Sequence, residues 1–196
     1  MIGGDTMRKA EVTRKTKETD ITVALCLDGG SVSIDTGIGF FDHMLTALGG
    51  HAGFGLRVHA AGDLQVDCHH TIEDICIVLG DALAKALGDK GGIARYGSFY
   101  IPMDEALCFT SVDVSGRPFL VFDGTFEQAH VGAVDTCMTE EFLRAFAMHA
   151  GITLHSRVLY GKNAHHEIEG IFKSLGHALQ AAVMPREGVL STKGSL

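Results

Sequence analysis

The sequence lacks the features of a disulfide-bonded or exported protein. Its 5 cysteines are odd in number and form no CxxC pair, which argues against a disulfide framework and against a thiolate zinc site. No apolar run reaches the roughly 18 residues of a membrane span, and the first residues are small and polar, unlike those of a signal peptide. We therefore expect a reduced, cytoplasmic protein without a membrane anchor.

Runs of basic residues are also missing. The formal net charge is -8 at pH 7, and lysine and arginine are scattered along the chain, which argues against nucleic acid as a partner. A small anionic metabolite is still compatible with a few basic residues gathered locally. With 196 residues and 46% hydrophobic content, the chain is long enough for one domain with a sizeable core.

The pattern His-His-x-x-Glu occurs twice, each time at the start of a predicted helix. The two copies are His69, His70 and Glu73, and His165, His166 and Glu169. Residues i and i+3 or i+4 share one face of a helix, so we expect His70 and Glu73 to converge on one ion while His69 points elsewhere. Imidazole and carboxylate ligands suit Mn, Fe, Zn or Ni, which indicates a catalytic divalent ion.

The surroundings of the two motifs repeat as well. A shift of 96 residues superimposes the motifs, and it also superimposes LGDAL on LGHAL. A shift of 98 residues takes His51 to His149 and His43 to Glu141. The chain therefore reads as a duplication with a pseudo-symmetric pair of metal sites, for which neighbouring subunits are a source of missing ligands.

Hydrophobic periodicity predicts strands and helices in the same order in both halves. The predicted strands cover residues 8–16, 21–27, 31–35, 54–61, 95–103, 105–114, 118–123 and 152–159, and the predicted helices cover 40–50, 70–87, 138–150 and 165–183. This order indicates an α+β fold, a single duplicated domain with two four-stranded sheets, each covered by two helices. We place the halves at 8–90 and 93–184 and a flexible, substrate-contacting tail at 185–196.

Several polar residues fit either a site or an ordinary surface. Arg95, Arg117, Lys173 and Lys193, together with tail hydroxyls, suit a phosphorylated substrate, although each alone fits a solvated surface charge. By its spacing Glu18 is an ordinary exposed carboxylate near the end of an early strand. The histidines at positions 51 and 149 fit a site role or a shared structural role equally well.

Most of the chain matches the motifs of one known family. The matching segments are FFDHMLTALGGHAGF, DCHHTIED, MDEAL, DVSGRP, GITLH, GKNAHHEIEGIFK and STKG. In them the sequence resembles the imidazoleglycerol-phosphate dehydratases of histidine biosynthesis. The resemblance implies halves like domain 2 of ribosomal protein S5, and dehydration of D-erythro-imidazole-glycerol phosphate to imidazole-acetol phosphate. It also implies two Mn²⁺ ions per active site, bound to the substrate as imidazolate and acting as Lewis acid and template.

The resemblance also implies roles for individual residues. The implied metal ligands are His43, His69, His70, Glu73, His165, His166 and Glu169, and the internal repeat adds Glu141 as a further predicted ligand. The implied catalytic residues are Glu18, as an acid/base group, with His70 and Glu169. The implied substrate and phosphate contacts are His43, His51, Arg95, Arg117, Lys173, Ser191, Thr192 and Lys193. Plant members of the family carry a histidine where this chain has Glu141, which the internal repeat aligns with His43.

The resemblance further implies a homo-oligomer of 24 subunits, built from trimers that share active sites. Two other functions use part of the same residues. A binuclear metal hydrolase acting on a phosphate ester would use the carboxylates and arginines, but it gives no reason for so many paired imidazoles. A non-catalytic metal-storage or metal-stabilised assembly protein would need the ligands but not Glu18 or the cationic tail.

Overall fold

A computed structural model describes residues 7–188 of the chain. The strands are β1 (Lys9–Lys15), β2 (Thr19–Cys26), β3 (Val32–Asp35), β4 (Gly55–Gly62), β5 (Tyr96–Met103), β6 (Ala106–Asp113), β7 (Phe119–Asp123), β8 (His130–Val131), β9 (Val134–Asp135) and β10 (Thr153–Tyr160). The helices are α1 (Gly39–Ala52), α2 (His69–Leu87), α3 (Met138–Ala150) and α4 (Ala164–Val183).

The two large sheets share one topology. The first has the strand order β1-β2-β4-β3 and the second has the order β5-β6-β10-β7. In each sheet the strand before the first helix pairs in parallel with the strand after it, and the other neighbours are antiparallel. The predicted α+β fold with two four-stranded sheets and two helices per half is therefore confirmed.

The four helices form the layer between the sheets. Helix α2 packs on β1 and β2, and α4 packs on β5 and β6, while α1 contacts α4 and α3 contacts α2. Because a strand turns alternate residues to one face, Ile21, Val23 and Leu25 of β2 all point into the core and are buried. The core is continuous across both halves, and the rings of Phe142 and Phe172 lie 4.4 Å apart within it.

The short hairpin of β8 and β9 lies in residues 124–137, for which the sequence predicted no strand. Two residues per strand are too few to show a period-2 pattern. Just before the hairpin, Gln128 Oε1 accepts a hydrogen bond of 2.6 Å from the Ala164 N–H, so this segment holds the start of α4. Among residues 7–188, no helix is long and apolar enough to cross a membrane.

The helix pairs approach each other closely at two glycines that match in the repeat. A Cβ atom at Gly80 would lie 2.6 Å from His149 Cβ and 2.9 Å from the Phe146 carbonyl oxygen. A Cβ atom at Gly176 would lie 2.9 Å from the Leu48 carbonyl oxygen. Carbon atoms in contact normally lie about 3.5–4.0 Å apart. The spacing of α2 from α3 and of α4 from α1 therefore requires glycine.

We expect Gly80→Ala and Gly176→Ala each to lower the free energy of unfolding by about 1–3 kcal/mol, because the added methyl overpacks the helix contact. Urea denaturation at fixed metal concentration measures the change. Gly50→Ala is the matched control, since among residues 7–188 no atom packed against this helix lies within 4 Å of the added Cβ, and alanine is the better helix former. Equal stability of Gly80→Ala and Gly50→Ala would contradict the prediction.

Arg8 connects β1 to the end of α4 in the other half. Its guanidinium donates to Asp28 Oδ1 from Nε at 2.9 Å and from Nη2 at 2.6 Å, and to the Val183 carbonyl oxygen at 2.5 Å. The Arg8 backbone N–H donates to Asp28 Oδ2 at 2.6 Å. These hydrogen bonds lower the pKa of the Asp28 carboxyl and outweigh the opposite effect of burial.

We expect Asp28→Asn to lower the free energy of unfolding by about 1 kcal/mol at pH 7. Because the folded pKa lies below the unfolded value of about 3.9, the contribution of Asp28 is present above that value. It is lost as the pH falls through the folded pKa. Denaturation of wild type and variant at several pH values should show the difference closing in acid.

Asp35→Asn is the control, because its partner is His59 at 3.3 Å and its side chain is 75% exposed. Such an exposed pair contributes little to stability. A difference between wild type and Asp28→Asn that stays constant from neutral pH into acid would contradict the assignment to the Asp28 carboxylate.

Candidate active site

The two His-His-x-x-Glu motifs lie in the first turns of α2 and α4, and similar side chains start both helices. Asp67 Oδ1 accepts the N–H of His69 at 2.7 Å, and Asn163 Oδ1 accepts the N–H of His165 at 3.0 Å. Asp and Asn favour such positions because their short side chains bond to backbone N–H groups that the first turn leaves free. The turn therefore presents each histidine pair at a fixed place.

The structure brings His43 of α1 together with His165 and Glu169 of α4. Both His43 Nε2 and His165 Nε2 lie 3.3 Å from Glu169 Oε2. One ligand atom from each of the three residues lies within 4.8 Å of the other two. We call this group the α4 cluster. Its imidazole nitrogens and carboxylate oxygen are a donor set that suits a divalent transition metal.

Glu169 of the α4 cluster is buried, whereas the two histidines are partly exposed. Its second oxygen, Oε1, accepts a hydrogen bond of 2.7 Å from Lys173 Nζ. Burial raises the pKa of Glu169, but the Lys173 ammonium and His43 outweigh that effect and leave the pKa below its usual value. The carboxylate is thus charged at neutral pH, with one oxygen held by Lys173 and one facing the histidines.

The first motif gives a looser arrangement. His69 Nε2 lies 4.0 Å from Glu73 Oε2, and both side chains are about half exposed. The structure differs from the expected pairing of His70 with Glu73. In both motifs the first histidine, four residues before the glutamate, is the one that faces it. The physical reason is the helical twist, which carries position i+4 closer to the same face than position i+3.

His70 turns away from Glu73 toward the end of β4 and the β1–β2 turn. Its Nδ1 lies 3.0 Å from Asp63 Oδ2 and 3.9 Å from Glu18 Oε2. The hydrogen bond with Asp63 and the charge of Glu18 raise the pKa of His70. The structure therefore places the predicted acid/base residue Glu18 beside the predicted metal ligand His70, from which 52 residues of chain separate it (70 − 18).

His166 has a similar environment built from different parts of the fold. Its Nδ1 lies 2.7 Å from Glu105 Oε2, at the β5–β6 turn, and its Nε2 lies 3.6 Å from Asp104 Oδ2. The hydrogen bond with Glu105 raises the pKa of His166, and the same bond is the main cause that lowers the pKa of Glu105 to about 2. Glu105 is accordingly a carboxylate at neutral pH.

Glu141 lies in the first turn of α3 and forms an ion pair with Arg144 at 4.0 Å. Helix α3 packs on α2 in the same way as α1 packs on α4. Glu141 is thus related to the first motif as His43 is related to the second. Among the described residues Glu141 joins no compact group of three ligands, so its predicted role as a ligand stays a prediction.

The predicted phosphate contacts lie in two places within one chain. Arg95 donates to Asp113 Oδ1 at 2.7 Å, and Arg117 approaches Asp113 Oδ2 at 3.4 Å. The backbone N–H of Arg95 donates to the carbonyl oxygen of Ala182. Ala182 lies nine residues beyond Lys173 on α4, a distance of about 13 Å along a helix. One chain therefore separates Lys173 from the two arginines. The predicted contacts Ser191, Thr192 and Lys193 lie outside the described residues.

His51 and His149 occupy matching positions on the outside of the helix pairs. His51 Nδ1 lies 3.0 Å from His177 Nε2, and His149 Nδ1 lies 3.0 Å from Asp81 Oδ1. Burial and the nearby His177 lower the pKa of His51. Both contacts join helices across the close approach at the glycines, which favours a shared structural role, and the predicted substrate contact of His51 stays a prediction.

Sequence reasoning missed Asp63 and Glu105, the carboxylates that bond to His70 and His166. Asp63 precedes His70 by seven residues but lies in the loop before α2, and Glu105 is 61 residues from His166, so helical periodicity could not indicate either pairing. The segment MDEAL, which includes Glu105, was part of the family resemblance, but it suggested no contact with the second motif.

Comparisons with known proteins show the family of this chain. The family described as imidazoleglycerol-phosphate dehydratase matches residues 36–179. The dehydratase of Clostridium acetobutylicum is 56% identical over 193 residues, covering 96% of this chain and 98% of that protein. The chain belongs to the imidazoleglycerol-phosphate dehydratase family. The enzyme of Clostridium kluyveri is 55% identical over 194 residues, covering 97% of this chain and 100% of that protein.

Solved structures of imidazoleglycerol-phosphate dehydratases have the same fold. The Staphylococcus aureus enzyme superimposes with a TM-score of 0.83 at 40% identity, covering 90% of this chain and 99% of that chain. The Pyrococcus furiosus enzyme, in complex with (S)-C348, superimposes with a TM-score of 0.84 at 40% identity, covering 94% of this chain and 100% of that chain. This protein is thus a hydro-lyase of a family named for a step of histidine biosynthesis, which sets aside the hydrolase and storage hypotheses.

Proposed function

We propose that the protein dehydrates D-erythro-imidazole-glycerol phosphate to imidazole-acetol phosphate in histidine biosynthesis, with two Mn²⁺ ions per active site. The main support for the proposal is the α4 cluster. In a chain that belongs to this family, the fold brings the ligand atoms of His43, His165 and Glu169 close together. We further propose that the enzyme acts in the cytoplasm, as its five unpaired cysteines suggest.

The residues present suit two divalent ions. We assign His43, His165 and Glu169 to one ion, and His69 and Glu73, with Glu141 from α3, to the other. His70 and His166 are further ligands to this pair of ions. The donors are imidazole nitrogens and carboxylate oxygens without a thiolate, a set that suits Mn²⁺ among other divalent metals. When bound, the ions supply Lewis acidity and orient the substrate.

The chain supplies the proton transfers that loss of water requires. Dehydration removes a proton from carbon and releases a hydroxyl group as water, so a carboxylate near the substrate is needed as acid and base. We assign this role to Glu18, whose side chain is 55% exposed and lies 3.9 Å from His70 Nδ1. We also place His70 and Glu169 in catalysis, since Glu169 keeps its negative charge in a buried position.

We assign the substrate's phosphate to the two arginines at Asp113, to Lys173 and to the tail residues 191–193. Arg95 is buried and Arg117 is 67% exposed at its side chain, so one arginine is fixed while the other is accessible to an anion. Arginine binds phosphate through two parallel hydrogen bonds, which orients the substrate as well as holding it. Lys173 is remote from this pair within one chain, which favours contributions from different subunits.

We propose a homo-oligomer of 24 subunits, built from trimers that share active sites. The support within this chain is the division of the predicted metal ligands. His70 and His166 each bond to a carboxylate outside the α4 cluster, and the first motif stands apart with Glu73. Because residues 7–188 of one chain bring only three ligands together, a neighbouring copy is the natural source of the rest.

Metal-stripped protein should not turn over imidazole-glycerol phosphate, and added Mn²⁺ should restore turnover. The reason is that the substrate and the reacting hydroxyl depend on the ions for polarisation and position. The product can be followed as its enolised ketone, and size-exclusion chromatography should show the large assembly breaking down on chelation. Turnover by protein that retains no metal would contradict the proposed role of the metal ions.

Glu18→Gln should reduce kcat by about 100-fold or more, the usual contribution of a general acid or base, while metal content and assembly size stay unchanged. Steady-state kinetics, elemental analysis and size-exclusion chromatography measure the three quantities. Glu11→Gln is the control, because Glu11 is another exposed carboxylate of the first sheet, paired only loosely with Arg57 at 3.4 Å. Full activity of Glu18→Gln would remove Glu18 from the mechanism.

A further inference from the structure

The second histidine of each motif forms a hydrogen bond through Nδ1 with a carboxylate. The two carboxylates come from different parts of the fold. Asp63 Oδ2 lies 3.0 Å from His70 Nδ1, and Glu105 Oε2 lies 2.7 Å from His166 Nδ1. Asp63 follows β4, whereas Glu105 stands in the β5–β6 turn. The repeat therefore does not relate these carboxylates to each other, although it relates the two histidines.

A carboxylate is only an acceptor, so each Nδ1 must carry the hydrogen of the bond. In a neutral imidazole the other nitrogen, Nε2, then has the free lone pair. The first histidine of each motif differs, because Nε2 of His69 and of His165 faces the glutamate of its own motif. The second histidines thus have a fixed tautomer and a fixed ring direction before any ion binds.

We propose that Asp63 and Glu105 are positioning residues, which hold His70 and His166 in the tautomer that offers Nε2 to a metal ion. This inference rests on the metal sites of the proposed function. Carboxylates that bond to the second nitrogen of a ligating histidine are a general feature of metal sites, and they raise the basicity of the ligand. Neither residue touches the substrate or the ions in this assignment.

Glu105 is itself held firmly. Its other oxygen, Oε1, accepts the backbone N–H groups of Lys162 at 3.3 Å and of Asn163 at 3.0 Å, immediately before α4. The carboxylate therefore bridges the turn that starts α4 and the histidine in its first turn. The carboxylate cannot turn around without losing both backbone bonds. A glutamine at this position is therefore expected to stay in one orientation, which makes Glu105→Gln a specific test of the tautomer.

In Glu105→Gln the amide oxygen should keep the two backbone bonds, because those donors require an acceptor. The NH₂ group then faces His166 Nδ1 and donates to it, which forces the hydrogen of the ring onto Nε2. That is the tautomer that cannot bind metal, although the fold is preserved. In Glu105→Ala the ring is free to adopt either tautomer, but both backbone bonds at Lys162 and Asn163 are lost.

Asp63 is held differently. Its Oδ1 is buried, and none of the described groups donates a hydrogen bond to it. An asparagine at this position can therefore turn its carbonyl oxygen toward His70 Nδ1 and keep the correct tautomer. We expect Asp63→Asn to weaken Mn²⁺ binding less than Glu105→Gln does. The reason is the second oxygen of each carboxylate, which accepts two backbone bonds in Glu105 and none from the described groups in Asp63.

The test is Mn²⁺ binding to metal-stripped protein, measured from the electron paramagnetic resonance of free Mn²⁺, together with the melting temperature of the metal-free protein. Loss of an outer carboxylate typically weakens metal binding by about 10–100-fold. We expect Glu105→Gln near the upper end of this range, and Glu105→Ala and Asp63→Asn near the lower end or below it. The melting temperature should instead fall more in Glu105→Ala than in Glu105→Gln.

Asp35→Asn is again the control, since its carboxylate lies 3.3 Å from Nδ1 of His59, a histidine outside the two motifs, and is 75% exposed. It should leave the Kd for Mn²⁺ within about twofold of wild type, far less than the change from losing an outer carboxylate. The inference is overturned if Glu105→Gln binds Mn²⁺ like wild type, or if Glu105→Ala binds it more weakly than Glu105→Gln. Wild type that binds no Mn²⁺ would instead overturn the metal sites of the proposed function.

Discussion

The site depends on how closely two pairs of helices approach each other. At Gly80 and Gly176 the partner helix comes so near that a methyl group would overlap its backbone. This spacing brings α1 against α4, so that His43 reaches Glu169 across 126 residues of chain. The two sheets cover the helices from outside and leave the first turns at the edge, where the histidines remain accessible while Glu169 is buried.

Both the fold and the donor set followed from local patterns. Alternation and helical periodicity predicted eight strands and four helices, and the duplicated motif predicted that imidazole and carboxylate groups start α2 and α4. The pattern could not decide which histidine of each pair meets its glutamate, because positions i+3 and i+4 lie close together on a helix. Asp63 escaped prediction because it lies in the loop between β4 and α2, where no regular spacing relates it to His70. Glu105 escaped prediction because it lies 61 residues from His166, and only the folded chain brings the two together.

The predicted phosphate contacts show a different limit. Lys173 pairs with Glu169 inside the chain, whereas Arg95 and Arg117 meet at Asp113 near the far end of the same helix. Sequence reasoning grouped these residues because the family resemblance implies phosphate contacts for all of them. The described part of one chain separates Lys173 from the two arginines, so the shared phosphate site that we propose requires neighbouring copies of the chain, which no pattern within one sequence records.

The two halves are alike in topology but unlike in charge around their glutamates. The repeat aligns Lys173 with Ile77 and His43 with Glu141. Glu169 therefore has a cation of its own helix at hydrogen-bond distance, whereas the matching position near Glu73 is apolar. In a symmetric dimer of identical small chains, any substitution would alter both sites at once. A single polypeptide that contains both halves removes that coupling, so each of the two metal positions that we propose is free to acquire its own affinity and its own rate of exchange.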